Sequence, residues 1–259
     1  MAILTAERLS KQYGGSVPTW ALKDATFQVE KGEFLGIMGP SGSGKTTLLN
    51  LLAGIDQPTS GTVYVEGVNL TGLSDDRLVL FRRRSLGFVF QDFNLLNALT
   101  IRENIAIPVA LDRMPVAKIE ERLAVVSRQL GIQGILDKRP FEVSGGEQQR
   151  SAIARAIIHS PAMVFADEPT GNLDSKAAND VMRAFGDLNQ SGGTGILMVT
   201  HDPFAASFCK RILFIRDGRV HSQLHRGESE SRSSFFQEII DSLRVHGGEL
   251  NDVIPARSR

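Results

Sequence analysis

Cysteine is almost absent from this chain, which carries Cys209 alone among 259 residues. A single thiol forms neither an internal disulfide nor a zinc cluster, so both kinds of stabilisation are excluded. No motif that activates a thiol surrounds Cys209, and we therefore expect a small packed residue in a protein kept in a reducing compartment.

Excess charge and long apolar runs are also lacking. Lysine and arginine number 29, aspartate and glutamate number 29, and the formal net charge is zero. There is thus no global electrostatic attraction to nucleic acid or to an anionic membrane, and we expect no nucleic-acid partner. No apolar run approaches the roughly 20 residues that span a bilayer. The charged, alternating N-terminus predicts a strand rather than a signal peptide. Any action at a membrane is therefore expected to use spans that a partner supplies.

The order of the patterns predicts an α/β fold. A length of 259 residues favours one core with an inserted lobe. Short apolar runs that suit buried strands alternate with helical patterns, which is typical of a largely parallel sheet covered on both faces. From about residue 92 to residue 160 the pattern is helical, and Gly131 is expected to end one of these helices.

A phosphate-binding loop follows the first buried-strand pattern. Residues 39–46 read G-P-S-G-S-G-K-T and fit G-x-x-x-x-G-K-[ST] at every fixed position. The apolar residues 34–38 predict a strand before this loop, and residues 46–53 predict a helix after it. A phosphate is then expected at the helix N-terminus, with Lys45 reaching the β and γ phosphates and the Thr46 hydroxyl holding Mg²⁺. The sequence therefore predicts a nucleoside triphosphate site.

Two adjacent carboxylates end a later buried strand. Asp167 and Glu168 follow the apolar residues 163–166, and the carboxyl edge of a parallel sheet is where ligands bind. Neighbouring strand residues point to opposite faces, so we expect different roles for the two. Asp167 is expected to support Mg²⁺ through a water, and Glu168 to orient or deprotonate the attacking water.

Further motifs resemble those of the ATP-binding cassette (ABC) ATPases. Residues 144–150 read S-G-G-E-Q-Q-R and resemble the signature motif of that family. Tyr13 resembles the aromatic residue that stacks on adenine, and Gln91 resembles the glutamine of the Q-loop. Residues 171–174, G-N-L-D, resemble the D-loop, and His201 resembles the switch histidine. The resemblance covers residues 1 to about 224.

The resemblance implies a P-loop NTPase (RecA-like) core with an N-terminal antiparallel β subdomain and an inserted α-helical subdomain at about residues 92–160. It implies that two cassettes face each other head to tail around two ATP molecules, so that this chain homodimerises on ATP or pairs with a different cassette. Ser144 and the two glycines after it precede a helix predicted at residues 147–158, a second N-terminus suited to the γ-phosphate. The expected catalytic residues are Glu168, His201 and Gln91, the expected Mg²⁺ ligands are Thr46, Gln91 and Asp167, and the expected ATP-binding residues are Tyr13, Gly39, Pro40, Ser41, Gly42, Ser43, Gly44, Lys45, Thr46, Thr47, Ser144, Gly145, Gly146 and Glu147.

Within the family, the chain resembles the cassettes that serve MacB-type permeases. Residues 198–209 and the C-terminal extension, with Gly247 and Gly248, are similar to the bacitracin-resistance (BceA-type) ATPases. That branch implies a separate permease, a peripheral position at the cytoplasmic face of the membrane, and a sensor kinase as an additional partner. Lipoprotein- or macrolide-type transport and a signalling ATPase without net transport stay open as alternatives. A soluble ABC ATPase acting on ribosomes or DNA is disfavoured by the single cassette and the absence of long coiled-coil heptads.

Three residues differ from those expected in the family motifs, and two further segments are expected to make specific contacts. Val143, Glu147 and Asn172 differ from the leucine, glutamine and alanine expected at these positions, and none removes a required chemical group. Residues just after Gln91 (Phe93, Asn94 and Leu95) are expected to meet the permease. Residues 225–259 are expected to form an extension with an amphipathic helix, which packs either on its own domain or on a partner.

Overall fold

The structure, a computed structural model, describes residues 1–14 and 18–246, so Gly247 and Gly248 lie outside the described residues. The strands are β1 (Ala2–Tyr13), β2 (Thr19–Glu30), β3 (Phe34–Met38), β4 (Ser60–Val65), β5 (Val68–Asn69), β6 (Leu86–Val89), β7 (Met163–Asp167), β8 (Gly195–Val199), β9 (Arg211–Arg216) and β10 (Arg219–His225). The helices are α1 (Lys45–Leu52), α2 (Asp75–Ser85), α3 (Ile101–Leu111), α4 (Val116–Gln129), α5 (Gly145–Ile157), α6 (Ser175–Gly192), α7 (Pro203–Ala206) and α8 (Arg232–His246).

A largely parallel sheet forms the centre of the molecule. Its strand order is β10-β9-β3-β8-β7-β6, and β10 alone among these described strands pairs antiparallel with its neighbour. Every residue of β3 and β8 is buried, which is why both read as continuous apolar runs. Alternate residues serve opposite faces, because Phe34 and Met38 enter one core cluster while Leu35 and Ile37 enter the other. The α/β class predicted from the sequence is confirmed.

A smaller antiparallel sheet, with the order β2-β1-β4-β5, packs beside the first. Its two long strands extend beyond the predicted residues 3–9 and 25–30, and each has 12 residues. The pairing continues through polar positions, for example Gln12 opposite Trp20, with several register shifts along the way. Hydrophobic alternation ends before the hydrogen-bonded ladder does, so the periodicity predicted shorter lengths for both strands than the structure shows.

Helices α3, α4 and α5 form the lobe predicted between residues 92 and 160. Helix α3 begins with a capping box, in which the backbone N–H and the hydroxyl of Thr100 donate to Glu103 Oε2 at 2.8 and 2.9 Å. Helix α4 ends at Gln129, and Gly131 after it has a φ of 64°, as expected of a C-terminal glycine. Arg155 of α5 joins this lobe to the segment that leaves β6, because its guanidinium donates to the carbonyls of Phe93, at 2.8 Å, and Asn94.

Helix α8 packs on its own chain, which is the first of the two alternatives for the C-terminal helix. Phe235 and Ile239 are fully buried in the core cluster that also holds α6 and α7 residues. The Arg232 guanidinium lies 4.2 Å from the ring centroid of Phe208 and 5.6 Å from that of Phe204. These contacts combine apolar burial with cation–π attraction and fix the helix against α7.

Cys209 is completely buried, as expected, and burial raises the pKa of its thiol. In the described part of the chain no helix combines the length and the apolarity that crossing a bilayer requires.

Candidate functional site

The carboxyl edge of the parallel sheet collects the residues that the sequence singled out. The phosphate loop follows β3, Asp167 ends β7, and His201 comes two residues after the end of β8. These three strands are neighbours, in the order β3-β8-β7. The topology therefore brings segments more than 120 residues apart in sequence to one edge, where ligands of open α/β sheets bind.

The phosphate loop depends on glycine at both ends. A Cβ at Gly39 would lie 2.1 Å from the Ile215 carbonyl oxygen, and one at Gly44 would lie 2.2 Å from that of Ala21. Gly44 also has a φ of 101° and is the N-cap of α1. The loop thus packs on strands of both sheets, and a side chain at either position would push it away. Within the loop, Pro40 and Ser41 lie near the surface, Gly42 has a φ of 75°, and Ser43 is buried.

Lys45 faces the loop and both carboxylates. Its ammonium donates to the carbonyls of Gly39 and Pro40 at 2.8 and 2.9 Å. Burial lowers the pKa of Lys45, and the nearby charges of Glu168 and Asp167 oppose that shift. A lysine held between loop carbonyls and acidic side chains is a cation ready for phosphate oxygens.

Tyr13 stands at the end of β1, beside the start of α1. Its hydroxyl donates to Asp56 Oδ2 at 2.7 Å and also interacts with the Thr47 hydroxyl. The Lys11 ammonium lies 4.9 Å from the ring centroid and 2.7 Å from Asp56 Oδ1. Burial, followed by the hydrogen bond to Asp56, raises the pKa of Tyr13. The residue is 44% exposed, so solvent reaches it although its hydroxyl is engaged.

The two carboxylates differ in environment. Asp167 Oδ1 is buried and has no hydrogen-bond partner within the described residues. Burial, together with the charge of Glu168, raises the pKa of Asp167, and Lys45 opposes this. β7 ends at Asp167, and Glu168 has a φ of 46°, a left-handed conformation that is strained for this residue type. The turn at Glu168, rather than strand alternation, separates the two side chains.

Glu168 and His201 form a close pair. His201 Nδ1 lies 2.8 Å from Glu168 Oε1, and the His201 backbone N–H donates to Glu168 Oε2 at 3.3 Å. The Glu168 backbone is itself held, since its N–H donates to the Val199 carbonyl at 2.9 Å. Glu168 is largely enclosed, with its side chain 16% exposed, whereas His201 is 66% exposed. A carboxylate fixed this way keeps lone pairs available for a water.

Gln91 is held by the D-loop segment. Its Nε2 donates to Asn172 Oδ1 at 3.0 Å, and Asn172 Nδ2 donates to Asp92 Oδ1 at 2.8 Å and to the Gln91 carbonyl at 3.3 Å. The amide also lies against Gly171, where a Cβ would be 3.0 Å from Gln91 Cδ. The structure therefore joins Gln91 to the D-loop, and its expected contact with Mg²⁺ stays a prediction.

The signature residues form the start of α5. The helix begins at Gly145, two residues before the predicted start, with Ser144 as N-cap. Glu147 closes a capping box, accepting from the Ser144 backbone N–H at 2.8 Å and from its hydroxyl at 2.7 Å. These bonds lower the pKa of Glu147. A Cβ at Gly146 would lie 3.0 Å from Ala177 Cβ, so the glycine lets α5 pack closely on α6.

A polar cavity of about 260 Å³ lies at this helix start. Its lining residues are Ser144, Gly146, Glu147, Arg150, Asp174, Lys176, Ala177 and Asp180, and none of these described residues belongs to the phosphate loop. Within one chain, therefore, the phosphate loop does not contribute to the cavity at the signature.

Gln149 is a structural residue of the site that the sequence reasoning missed. It is fully buried on α5, and its Nε2 donates to the carbonyls of Phe90, at 3.1 Å, and Pro169, at 2.6 Å. One amide therefore ties the signature helix to the residues that precede Gln91 and follow Glu168. The only signal in the sequence was a polar residue on the apolar face of α5.

A groove of about 450 Å³ opens between α2, α3, α5 and the segment after β6. Its lining is mostly apolar, with Arg82, Arg83, Arg155 and His159 among the polar members. Asn94 lines this groove, and Phe93 and Asn94 both have positive φ angles, of 60° and 50°. Two of the three residues expected to contact a permease thus shape a turn that the Arg155 guanidinium holds in place.

The site combines a phosphate loop, a lysine near a strand-end Asp–Glu pair, and a histidine that contacts the second carboxylate. These features define a P-loop nucleoside triphosphatase. Comparison with known proteins narrows this class. The family model described as ABC transporter matches residues 22–171. A Bacillus subtilis protein described as the uncharacterized ABC transporter ATP-binding protein YvcR is 56% identical over 255 residues, covering 97% of this chain and 98% of that protein.

Two further similarities, to a curated relative and to a solved structure, indicate the same family. The bacitracin export ATP-binding protein BceA of Halalkalibacterium halodurans is 48% identical over 253 residues, covering 97% of this chain and all of that protein. The solved dimeric structure of MJ0796, a bacterial ABC transporter cassette according to its description, is 38% identical, with a TM-score of 0.80, and covers 86% of this chain and 99% of that one. The chain therefore belongs to the ATP-binding proteins of the ABC transporter family, and it is an ATPase.

Proposed function

We propose that this chain is the ATP-hydrolysing subunit of a complex that exports or removes peptide antibiotics of the bacitracin kind. It works with a separate permease, as a peripheral protein at the cytoplasmic face of the membrane. The observation that carries the catalytic half of the proposal is the pairing of Glu168 with His201, 2.8 Å apart, on the edge that also presents Lys45.

Hydrolysis needs a water aligned with the terminal phosphate and a group that orients it or accepts its proton. Glu168 is the residue for that role because both of its oxygens are already fixed by His201 and its backbone is anchored on β8. His201 is the positioning residue that keeps this orientation. Lys45 neutralises charge on the β and γ phosphates, and the Tyr13 ring stacks on the adenine.

The residues present also fit Mg²⁺. Asp167 offers a buried oxygen that has no hydrogen-bond partner among the described residues, and Thr46 offers a hydroxyl at the start of α1. Oxygen donors of this kind, together with nucleotide phosphates and waters, are what Mg²⁺ prefers. Bound there, the ion would offset phosphate charge. Gln91 is proposed as an additional ligand, which requires it to leave Asn172.

Two copies of the chain are proposed to bind head to tail on ATP. Ser144, Gly145 and Gly146 of one copy then meet the γ-phosphate of the nucleotide on the phosphate loop of the other. The absence of phosphate-loop residues from the described lining of the signature cavity supports this arrangement. The family relationship supports dimer formation too, since solved relatives are described as dimeric cassettes.

The groove beside Asn94 is the surface proposed for the permease. Because the lining is mostly apolar, the groove takes a short segment with an apolar face. Because Arg155 joins the turn at Phe93 and Asn94 to α5, a displacement at the groove is passed to the helix that carries Ser144.

The peptide-antibiotic assignment follows the similarity to BceA, which extends over nearly the whole of both chains. A sensor kinase is proposed as an additional partner on the same ground. Purification of the tagged chain from native membranes tests both assignments. A large-ectodomain permease among the proteins recovered supports the proposal, and a kinase beside it supports coupled signalling. A short four-span permease instead favours lipoprotein or macrolide transport, and recovery without any membrane protein refutes the transport role.

The catalytic proposal is tested with Glu168→Gln. This variant should bind ATP, lose turnover and accumulate as a dimer with ATP, because the groups that bind nucleotide are intact. Lys45→Ala is the matched comparison, since it should weaken ATP binding itself. Near-normal turnover of Glu168→Gln, measured as phosphate release, would contradict the role given to this carboxylate.

A further inference from the structure

We propose that the Glu147 carboxylate competes with the terminal phosphate of ATP for the hydroxyl of Ser144, and thereby sets how much ATP is needed to join two copies of the chain. The inference rests on the proposed head-to-tail dimer. It concerns a residue whose type departs from the glutamine expected at this position, and it assigns that departure a function.

The geometry around Ser144 carries the inference. The Ser144 hydroxyl donates to Glu147 Oε2 at 2.7 Å, and the Ser144 backbone N–H donates to the same oxygen at 2.8 Å. The Glu147 backbone N–H returns a longer bond of 3.4 Å to the hydroxyl oxygen. A hydroxyl has one proton to donate, so the bond to Glu147 uses the donor that an incoming phosphate oxygen requires.

The negative charge of Glu147 makes it a stronger competitor for the Ser144 hydroxyl than a neutral side chain would be. A carboxylate accepts from the hydroxyl in a charge-assisted bond, which is about twice as strong as a bond to a neutral acceptor. It also faces an anionic phosphate, and like charges brought together at an interface oppose binding. A glutamine keeps an oxygen for the capping box but loses both effects.

Arg150 and Lys138 attract the Glu147 carboxylate, but the cavity lining as a whole keeps an excess of anionic groups. The cavity at this helix start is lined by the cationic side chains of Arg150 and Lys176 and by the anionic side chains of Asp174, Asp180 and Glu147. Anionic groups therefore exceed cationic ones by one on the surface that meets the nucleotide. Replacing Glu147 with glutamine balances the two. Lys138, which also attracts Glu147, lies outside that lining.

The chain contains a matched control for the structural part of this bond. At the start of α3, Thr100 and Glu103 form the same capping box with nearly the same distances, 2.8 Å from the backbone N–H and 2.9 Å from the hydroxyl to Glu103 Oε2. Glu103→Gln therefore imposes the same local cost on a helix start that has no part in the proposed nucleotide site.

The test measures ATP-driven dimer formation by sedimentation velocity in the Glu168→Gln background, which prevents hydrolysis. Adding Glu147→Gln should lower the ATP concentration for half-maximal dimer by roughly tenfold, equivalent to about 1.4 kcal/mol. Adding Glu103→Gln should leave it unchanged. Thermal unfolding without nucleotide should move equally in the two glutamine variants.

The outcomes separate this inference from the function on which it rests. If the Glu168→Gln parent dimerises on ATP and Glu147→Gln changes nothing, the competition is refuted. If Glu147→Gln weakens dimer formation, the carboxylate binds the nucleotide and the inference is likewise overturned. If the parent stays monomeric at saturating ATP, the head-to-tail proposal fails, and the inference fails with it.

Discussion

Replacement of Gln149 by leucine is the substitution for which the structure gives the clearest magnitude. Leucine is similar in size but donates no hydrogen bond. The Pro169 carbonyl then loses the Gln149 donor in the interior, while the Phe90 carbonyl loses one bond and keeps another, of 3.3 Å, from the Phe93 backbone N–H. Each buried acceptor left unpaired costs about 1–3 kcal/mol. In the part of the chain that the structure describes, Gln149 Oε1 is buried and has no hydrogen-bond partner, so its removal offsets part of this cost.

We therefore expect Gln149→Leu to lower the free energy of unfolding by roughly 1–2 kcal/mol, since one acceptor is left unpaired, a second bond is lost and one unpaired atom is removed. For a chain of this size that corresponds to a fall in melting temperature of roughly 2–8 °C. Calorimetry without nucleotide gives the melting temperature, and urea unfolding gives the free energy. Phosphate release should fall as well, because Gln149 positions the backbone just before Gln91 and just after Glu168.

The neighbouring residue supplies the control. Gln148 is partly exposed, and its Nε2 makes one bond of 3.3 Å, to the Val143 carbonyl. Gln148→Leu should therefore change the free energy of unfolding by no more than about 0.5 kcal/mol. Equal effects of the two leucine variants would refute the reasoning, because they would mean that the buried bridge adds nothing to an ordinary surface bond.

Three further predictions concern charge and loop position. Asp167→Asn should raise the melting temperature of the nucleotide-free protein at pH 7.5, because burial raises the pKa of Asp167 and its ionised form costs stability above that pKa. The same variant should gain less additional stabilisation when Mg²⁺ is added to its complex with ATP. Thermal shift with and without chelator measures both effects. His159, whose pKa burial lowers, should make the protein less stable as pH falls below about 6.5, where the unfolded chain takes up the proton first. Urea unfolding at pH 7.5 and 5.5 should show a smaller loss in His159→Gln, and equal losses would contradict this. Asn172→Ala should free Gln91, so hydrogen exchange at residues 91–94 should quicken while the melting temperature barely moves, and unchanged exchange would count against the D-loop contact.

The sequence was sufficient for the parts of the site that depend on local chemistry. The phosphate loop follows from its glycines and Lys45, and the strand-end carboxylates follow from the apolar run before Asp167. What it could not reveal depends on contacts between distant segments. Nothing local indicates that Gln149 reaches the Phe90 carbonyl, 59 residues away.

Backbone geometry set a second limit on prediction. Strand alternation placed Asp167 and Glu168 on opposite faces, but the left-handed φ of Glu168 directs its side chain to His201. Similarly, the helix predicted from residue 147 begins at Gly145, and Gly146 is helical despite the low helix propensity of glycine because it packs closely on Ala177. Tertiary contacts outweigh local preference in both cases.

The buried state of Cys209 makes the native chain a ready background for site-directed labelling. Its thiol is inaccessible, and burial disfavours the thiolate that alkylating reagents attack. Because it is the sole cysteine, a fluorophore or spin label attached at one introduced surface thiol reports from that position without removal of the native residue. The proposed approach and separation of two copies during an ATP cycle can therefore be tested as a distance in the otherwise unaltered protein.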